Sequence, residues 1–292
     1  MPPEPLTAPA PAKVNLVLEV LGKRDDGYHE IDSILQTIDL ADRVTVAFDG
    51  AGPPLWASGP FAAGTPCDQS NLAWRAAQAL AREVGRDPAP LRIELVKNVP
   101  PAGGLGGGAS DAATVLRLLQ RAWPPVTEEQ LLAVAAAVGS DEAALVLGGT
   151  VRARGRGERV ERLAPLARQG IVLFVPPQSI AGKTGSMFAA LAATPFDDGA
   201  VAAKFAREMP ARLHGEDVYN AFERVAYDVF TGLAALSESL ESRLGQAVRL
   251  AGAGPTLFWI GPPGDAMAVA AAASGTDCTI IPTATEVSLW AK

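Results

Sequence analysis

The chain has 292 residues, with 48% apolar and 20% charged side chains, which is a globular composition of a length that suits two ordinary domains. A formal net charge of -7 excludes a chain-wide basic field for nucleic acid or an acidic membrane surface. The two cysteines, Cys67 and Cys278, form neither a disulfide framework nor a Cys-x-x-Cys zinc site, and they suit a reducing compartment.

The N-terminal MPPEPLTAPAPAK lacks a basic start followed by an apolar run, so it does not read as a secretion signal. The longest purely apolar stretch, 266–273, is too short to span a bilayer. Together these features predict a soluble cytoplasmic protein.

In chain order, residues 12–20 alternate and are rich in Val and Leu, which predicts a strand. The polar turn GKRDDG at 22–27 follows, then strands over 31–40 and 43–48 and an irregular Gly/Pro/Ala loop over 49–66. Ser70 or Asn71 caps a helix that runs to about residue 84 and stops at Gly85. A strand over 91–99 leads into a glycine-rich loop and a helix over 110–122, ended by Pro124 and Pro125. Thr127 and Gln130 make a capping-box pattern for the next helix, which Gly139 stops.

Two short strands lie within 149–163. Their arginines, Arg152, Arg154, Arg156, Arg159 and Arg162, read as basic outer faces in solvent rather than as a phosphate pocket. Beyond them come a buried strand at 171–175, three helical stretches between 184 and 244, strands at 248–250, 256–260 and 279–281, and an alanine-rich helix at 265–273. Interleaved helices and strands place the chain in the α/β or α+β class. A domain boundary is expected near Gly155, giving units of 1–155 and 156–292.

The chemistry concentrates in PPAGGLGGGASDAATVLRLL, residues 100–119, between a strand and a helix. Gly103, Gly104, Gly106, Gly107 and Gly108 leave the backbone bare for close approach to an anion. The following helix turns its free N–H groups and positive dipole end toward the same spot, which suits phosphate. The Walker pattern is absent. The look-alike Gly182-Lys183-Thr184 has Pro177 where the first glycine is required. Gly104, Gly106 and Ala109 also fit a dinucleotide fingerprint, whose acidic partner would have to be Glu128 or Glu129 in the first turn of a helix. On these residues alone, an ATP site, a dinucleotide site and a non-catalytic nucleotide-binding module all stay open.

Residues 100–113 resemble the phosphate-binding motif of the GHMP kinases. Three further stretches agree with that family in order along the chain: Ala12-Lys13-Val14-Asn15-Leu16, Asn220-Ala221-Phe222-Glu223 and Gly252-Ala253-Gly254-Pro255-Thr256. A fourth, GKRDDGYHEI at 22–31, resembles the branch of the family that acts on a cytidine diphosphate-linked methylerythritol in non-mevalonate isoprenoid precursor synthesis.

The resemblance implies a two-domain α+β fold: an N-terminal βα domain with a left-handed crossover, a C-terminal ferredoxin-like domain and an active site between them. It implies ATP as donor with Mg²⁺, a small-molecule acceptor, no nucleic-acid or membrane partner, and a monomer or weak homodimer. It assigns Pro101, Ala102, Gly103, Gly104, Leu105, Gly106, Gly107, Gly108, Ala109 and Ser110 to ATP, with Ser110 as the loop hydroxyl because Ala109 replaces a common serine. Lys13 would stabilise charge on the acceptor oxygen and γ-phosphate, and Asp141 would orient the acceptor hydroxyl and take its proton. Asn15, Tyr28, His29, Thr184, Phe188, Gly252 and Gly254 would hold the acceptor, with the base read by Tyr28 and His29 and stacked on Phe188. The resemblance assigns no metal ligands. One departure touches the centre: Glu142-Ala143 stands where Val-Pro usually follows the aspartate.

Overall fold

A computed structural model describes residues 4–50, 52–123, 125–177 and 183–286. Pro124 and Gly182, singled out above, lie outside the described residues.

The frame is a long antiparallel pair, β1 (Leu6–Lys23) and β2 (His29–Ala47). The sequence splits β2 in two around Ala41 and Asp42, but the strand is continuous. A bulge opposite Pro11/Lys13 takes up the irregularity, because the pairing steps from Pro11↔Ala41 to Lys13↔Thr37. Asp42 stays inside the sheet because its carboxylate accepts from the amides of Asn98 and Val99 and pairs with Lys97. β3 (Leu55–Ser58) arises inside the stretch read as irregular. It is a four-residue strand held by parallel pairing to β4 (Arg92–Val96), and local pattern carries little of that signal.

The first sheet runs β3-β4-β2-β1-β8, with β5 (Thr150–Gly155) on β2 and β6 (Arg159–Arg162) on β5. Its short last strand, β8 (Tyr219–Asn220), comes from the second half of the chain and pairs in parallel with Val17 and Leu18 of β1. Helices α1 (Leu72–Glu83), α2 (Gly107–Ala122) and α3 (Glu128–Val138) follow the sequence reading, and α4 (Glu142–Leu147) is a short helix that the reading did not include. Asn71 caps α1 by accepting from the Ala73 amide, and the Thr127–Gln130 box caps α3. These helices pack their Ala and Leu faces on one end of the sheet, together with Ala8, Ala10, Val44 and Val46.

The second sheet has the order β11-β7-β10-β9, built from β7 (Gly170–Val175), β9 (Arg249–Leu250), β10 (Leu257–Gly261) and β11 (Thr279–Ala284). All its pairings are antiparallel. Helices α5 to α8 separate β7 from β9, and α9 (Ala266–Ala272) joins β10 to β11, so the order is that of a ferredoxin-like unit. Four helices occupy the stretch read as three: α5 (Lys183–Leu191), α6 (Ala200–Glu208), α7 (Glu223–Val229) and α8 (Leu233–Leu244). Phe230 leaves the helical region and Gly232, at positive φ, restarts the chain, so one apolar run becomes α7 and α8.

The two faces of the second sheet alternate as strand geometry requires. Ile171, Leu173, Phe258 and Ile260 pack on Ala12, Val14 and Leu16 of β1. Val172, Phe174, Leu257 and Trp259 face α5, α7, α8 and α9. No helix of the described residues is long and apolar enough to cross a membrane.

The α3 cap lies away from the cleft described below. Thr127→Ala is expected to cost about 1 kcal/mol, read as a fall of about 2 °C in thermal midpoint, with turnover unchanged.

Candidate active site

One cavity of about 1050 Å³ opens where β1, the glycine loop, α4, the β5–β6 turn and α5 meet. Its geometry begins at the outer edge of β1. Pro9 and Pro11 carry no amide, and β8 covers only Val17 and Leu18. Between them, the Lys13 amide donates to the Leu105 carbonyl at 2.9 Å and the Asn15 amide to the Ala251 carbonyl at 2.9 Å. The glycine loop and the 251–256 turn are therefore docked side by side on the same strand edge.

Only glycine fits this junction. A Cβ on Gly254 would lie 2.5 Å from the backbone of Gly103, and one on Gly104, at φ +86°, 2.8 Å from the Gly254 amide nitrogen. Gly252 likewise packs on the Gly104 carbonyl and the Lys13 ammonium. The structure thus places Gly252 and Gly254 against the glycine loop, while Ala253 between them lines the cavity.

α2 begins at Gly107, three residues before the predicted start, so Gly107, Gly108 and Ala109 form its first turn. Gly106 caps it at φ 72°, a conformation costly for other residues. A side chain there would also press on Lys13 Cγ at 3.0 Å. Burial of α2 between sheet and helices overrides the poor helix propensity of the two glycines. Pro101, Ala102, Gly103, Gly104, Leu105, Gly106, Gly107, Gly108 and Ala109 all line the cavity. Ser110 does not, because it is buried in α2 with its amide bonded to the Gly106 carbonyl.

Lys13 is 4% exposed, a cation in the middle of a buried strand. Its ammonium donates to Asn15 Oδ1 at 2.6 Å and lies 3.5 Å from Asp141 Oδ2. Asn15 is oriented in turn by donating to Ser33 Oγ, which donates to the Val17 carbonyl. Asp141 precedes α4 but makes no side-chain cap bond, so its 39%-exposed carboxylate faces the cavity beside Lys13.

Glu142 is 2% exposed and folded back over Gly139. Burial pushes its carboxyl up to about 7, the Asp141 charge adds to the rise, and the Glu142 and Asp141 amides oppose it.

At the other end of the cavity, the His29 ring stacks on Phe188 with centroids 4.4 Å apart, and Phe188 meets the Phe222 ring edge-on at 4.9 Å. Burial, helped by the Lys23 charge, lowers the His29 pKa, and Nε2 is buried without a hydrogen-bond partner. Tyr28 is 49% exposed at the mouth, and Thr184 on α5 lines the same end.

Sequence reasoning missed a buried triad under the glycine loop. Lys97 pairs with both Asp42 and Asp111, and Lys97 and Asp111 line the cavity. Burial works against the Lys97 charge, but the two carboxylates outweigh it and raise its pKa. Asp111 is pushed the other way from an ordinary carboxylate, upward, by burial. Lys97 stands directly before the loop, yet Asp42 lies 55 residues away, so no spacing announces the group.

Comparison with known proteins agrees with this geometry. Residues 71–149 match the GHMP kinases N-terminal domain. A 4-diphosphocytidyl-2-C-methyl-D-erythritol kinase of Pelotomaculum thermopropionicum is 37% identical, over 87% of this chain and 88% of its own. The chain belongs to that family of GHMP kinases. A crystal structure of a 4-(cytidine 5'-diphospho)-2C-methyl-D-erythritol kinase superposes with a TM-score of 0.75 at 31% identity, covering 97% of this chain and all of that one. L. major mevalonate kinase, at 14% identity and a TM-score of 0.70 over 98% of this chain and 97% of its own, shares the fold. The two-domain α+β GHMP fold and a small-molecule kinase identity follow from family membership, as does ATP as phosphate donor.

Glu142 is a departure inside that family pattern, and it carries a stability cost. Its folded pKa lies above the ordinary 4.5, so stability is lost as pH rises from there to about 7. Glu142→Gln keeps the acceptor oxygen for the amides and removes the charge. It is expected to stabilise the protein by about 1–3 kcal/mol at pH 8 and by little at pH 4.5, checked by thermal midpoints at both values.

Proposed function

We propose that this protein transfers the γ-phosphoryl group of ATP to the C2 hydroxyl of 4-diphosphocytidyl-2-C-methyl-D-erythritol, a step of non-mevalonate isoprenoid precursor synthesis. The observation that carries the reading is the convergence of Lys13, Asn15 and Asp141 at one edge of β1, between a bare-backbone helix mouth and an aromatic pocket in the same cavity.

The ATP phosphates would lie at the N-terminus of α2, where the amides following Gly106 and the helix dipole oppose their charge. Asp141 would hold the acceptor hydroxyl in line with the γ-phosphorus and take its proton as the bond forms. Lys13, anchored by Asn15, would meet the charge developing on the transferred group. Among the described residues no cluster of three or more His, Cys, Asp or Glu side chains could hold a metal ion, so Mg²⁺ would be held chiefly by the ATP phosphates. The ion would arrive on the ATP phosphates, neutralising them and keeping most of its water. At the far end, Tyr28 offers a face to the cytosine beside the stacked His29 and Phe188 rings, and the unpartnered His29 Nε2 offers a hydrogen bond to its edge. Thr184 lies beside them. We also place the protein in the cytoplasm, as a monomer or weak homodimer.

A coupled ADP-release assay with the cytidylyl substrate, mevalonate and homoserine tests the reading. Turnover of the cytidylyl compound alone is expected, and a preference for either of the others would overturn it. Asp141→Asn and Lys13→Ala are expected to lower kcat by about 10²–10⁴-fold with circular dichroism unchanged. Near-wild-type rates in either variant would reject the mechanism. Tyr28→Ala is expected to raise the KM of the acceptor by about 5- to 150-fold and leave that of ATP unchanged, as loss of one stacking face of about 1–3 kcal/mol requires.

A further inference from the structure

The arginines between 152 and 162 do not behave alike. Arg152 pairs with Asp32, Arg154 with Glu161, Arg159 with Glu30 and Arg162 with Glu128. These four fit the reading of basic strands whose charge is met at the surface. Arg156 departs from it: among the described residues no carboxylate lies within ion-pair reach of its guanidinium, although its own amide donates to Glu158 Oε2.

The fold spends several constraints on placing that side chain. Arg156 sits at the β5–β6 turn between Gly155 and Gly157, both at positive φ. Gly157 is pressed so closely on the Ser140 carbonyl that a Cβ would lie 2.2 Å from it. The turn is therefore seated on the residue that precedes Asp141. One guanidinium nitrogen donates to the Ala136 carbonyl at 2.5 Å, and the group lies 5.0 Å from the centroid of the Tyr28 ring, in cation–π range. Arg156 lines the cavity with both Tyr28 and Asp141.

We propose that Arg156 is an acceptor-binding residue: it backs the Tyr28 ring and turns the open edge of its guanidinium to the diphosphate that joins nucleoside to sugar alcohol. This rests on the acceptor proposed above and names which of its groups the residue reads. A cytidylyl acceptor with its base at Tyr28 and its reacting hydroxyl at Asp141 must lay its diphosphate between them, which is where the turn carrying Arg156 stands. A guanidinium has five donors in a rigid fork and no acceptor, so it matches phosphate oxygens. In the reading above, the donor phosphates would already be met by Lys13 and the α2 amides.

The test uses Arg156→Met, which keeps a flexible apolar stem and loses the donors, and Arg156→Lys, which keeps the charge. In the ADP-release assay, Arg156→Met is expected to raise the KM of the cytidylyl acceptor about ten-fold or more. The KM of ATP and kcat stay within about two-fold, and Arg156→Lys recovers part of the loss. Calorimetric titrations with CDP and with cytidine then read the phosphate contact directly, without ATP or turnover. Arg156→Met is expected to weaken CDP by about the same factor and cytidine by much less. Equal losses on CDP and cytidine would confine Arg156 to supporting Tyr28 and overturn the diphosphate contact, as would a rise in the KM of ATP alone. An unchanged acceptor KM in a variant that turns over would overturn the inference and leave the proposed reaction standing. A wild-type enzyme inactive on the cytidylyl acceptor would instead sink the reaction, with the CDP-to-cytidine comparison still deciding whether Arg156 meets a diphosphate. If Arg156→Met does not fold, the same comparison in Arg156→Lys decides: an unaltered CDP-to-cytidine affinity ratio would reject a fork-like contact.

Discussion

The unpaired edge of β1 is the constraint on which the rest depends. A strand buried on both faces cannot leave its amides without partners. Here Pro9 and Pro11 remove two donors, β8 closes the edge at Val17 and Leu18, and the Lys13 and Asn15 amides are left between them. The glycine loop and the 251–256 turn satisfy one amide each, through the Leu105 and Ala251 carbonyls. Segments from three distant parts of the chain are thereby lined up along one strand, and their glycines let the two turns lie backbone to backbone. The cavity is the space this arrangement leaves open beneath the mouth of α2.

Placing a lysine on that strand makes the site electrostatic as well as geometric. Lys13 is nearly water-free, so Asn15 and Asp141 supply what solvent would, one accepting its hydrogen bond and the other meeting its charge. Asp141 is available because its own helix does not use it. The α4 N-terminus is served by the buried Glu142, whose carboxylate interacts with the Glu142 and Asp141 amides, while Asp141 stays turned toward Lys13. The Lys97–Asp42–Asp111 triad repeats the pattern beneath the loop, joining β2, β4 and α2 through one buried cation. With all three groups buried, their charges act on one another with little screening by water.

The aromatic end and the β5–β6 turn set the other limit of the site. His29, Phe188 and Phe222 form one continuous packed wall, and Tyr28 stands exposed at the mouth with Arg156 behind it. The cavity is thus charged and bare-backboned at one end and aromatic at the other, and it is lined as well by the Arg156 guanidinium, which among the described residues has no carboxylate within ion-pair reach; the proposed acceptor is likewise part base, part diphosphate and part polyol.

Much of this was legible in the residues. The caps at Asn71 and Thr127, the stops at Gly85 and Gly139, the strand at 12–20 and the compact apolar strand at 171–175 are local signals, set within a few residues, and they appear in the structure as elements of the kind read, with β1 longer than expected and buried on both faces. The glycine run raised the expectation of an anion site, because few other functions require so much bare backbone before a helix. Where the sequence fell short, the deciding contact was distant in the chain. β2 runs on through Asp42 because Lys97 and two amides receive its charge, and β3 exists because β4 pairs with it. Ser110 turns inward because α2 starts three residues early, inside a packed layer that outweighs glycine's poor propensity. Four arginines of one short hairpin are satisfied by carboxylates while the fifth is turned into the cavity. Composition and spacing determined the kinds of element, and the resemblance of several ordered motifs to one family pointed to the class of chemistry. Which charges were paired, and which were left facing a ligand, was decided by tertiary packing, since pairing depends on distances in space that a linear chain does not carry.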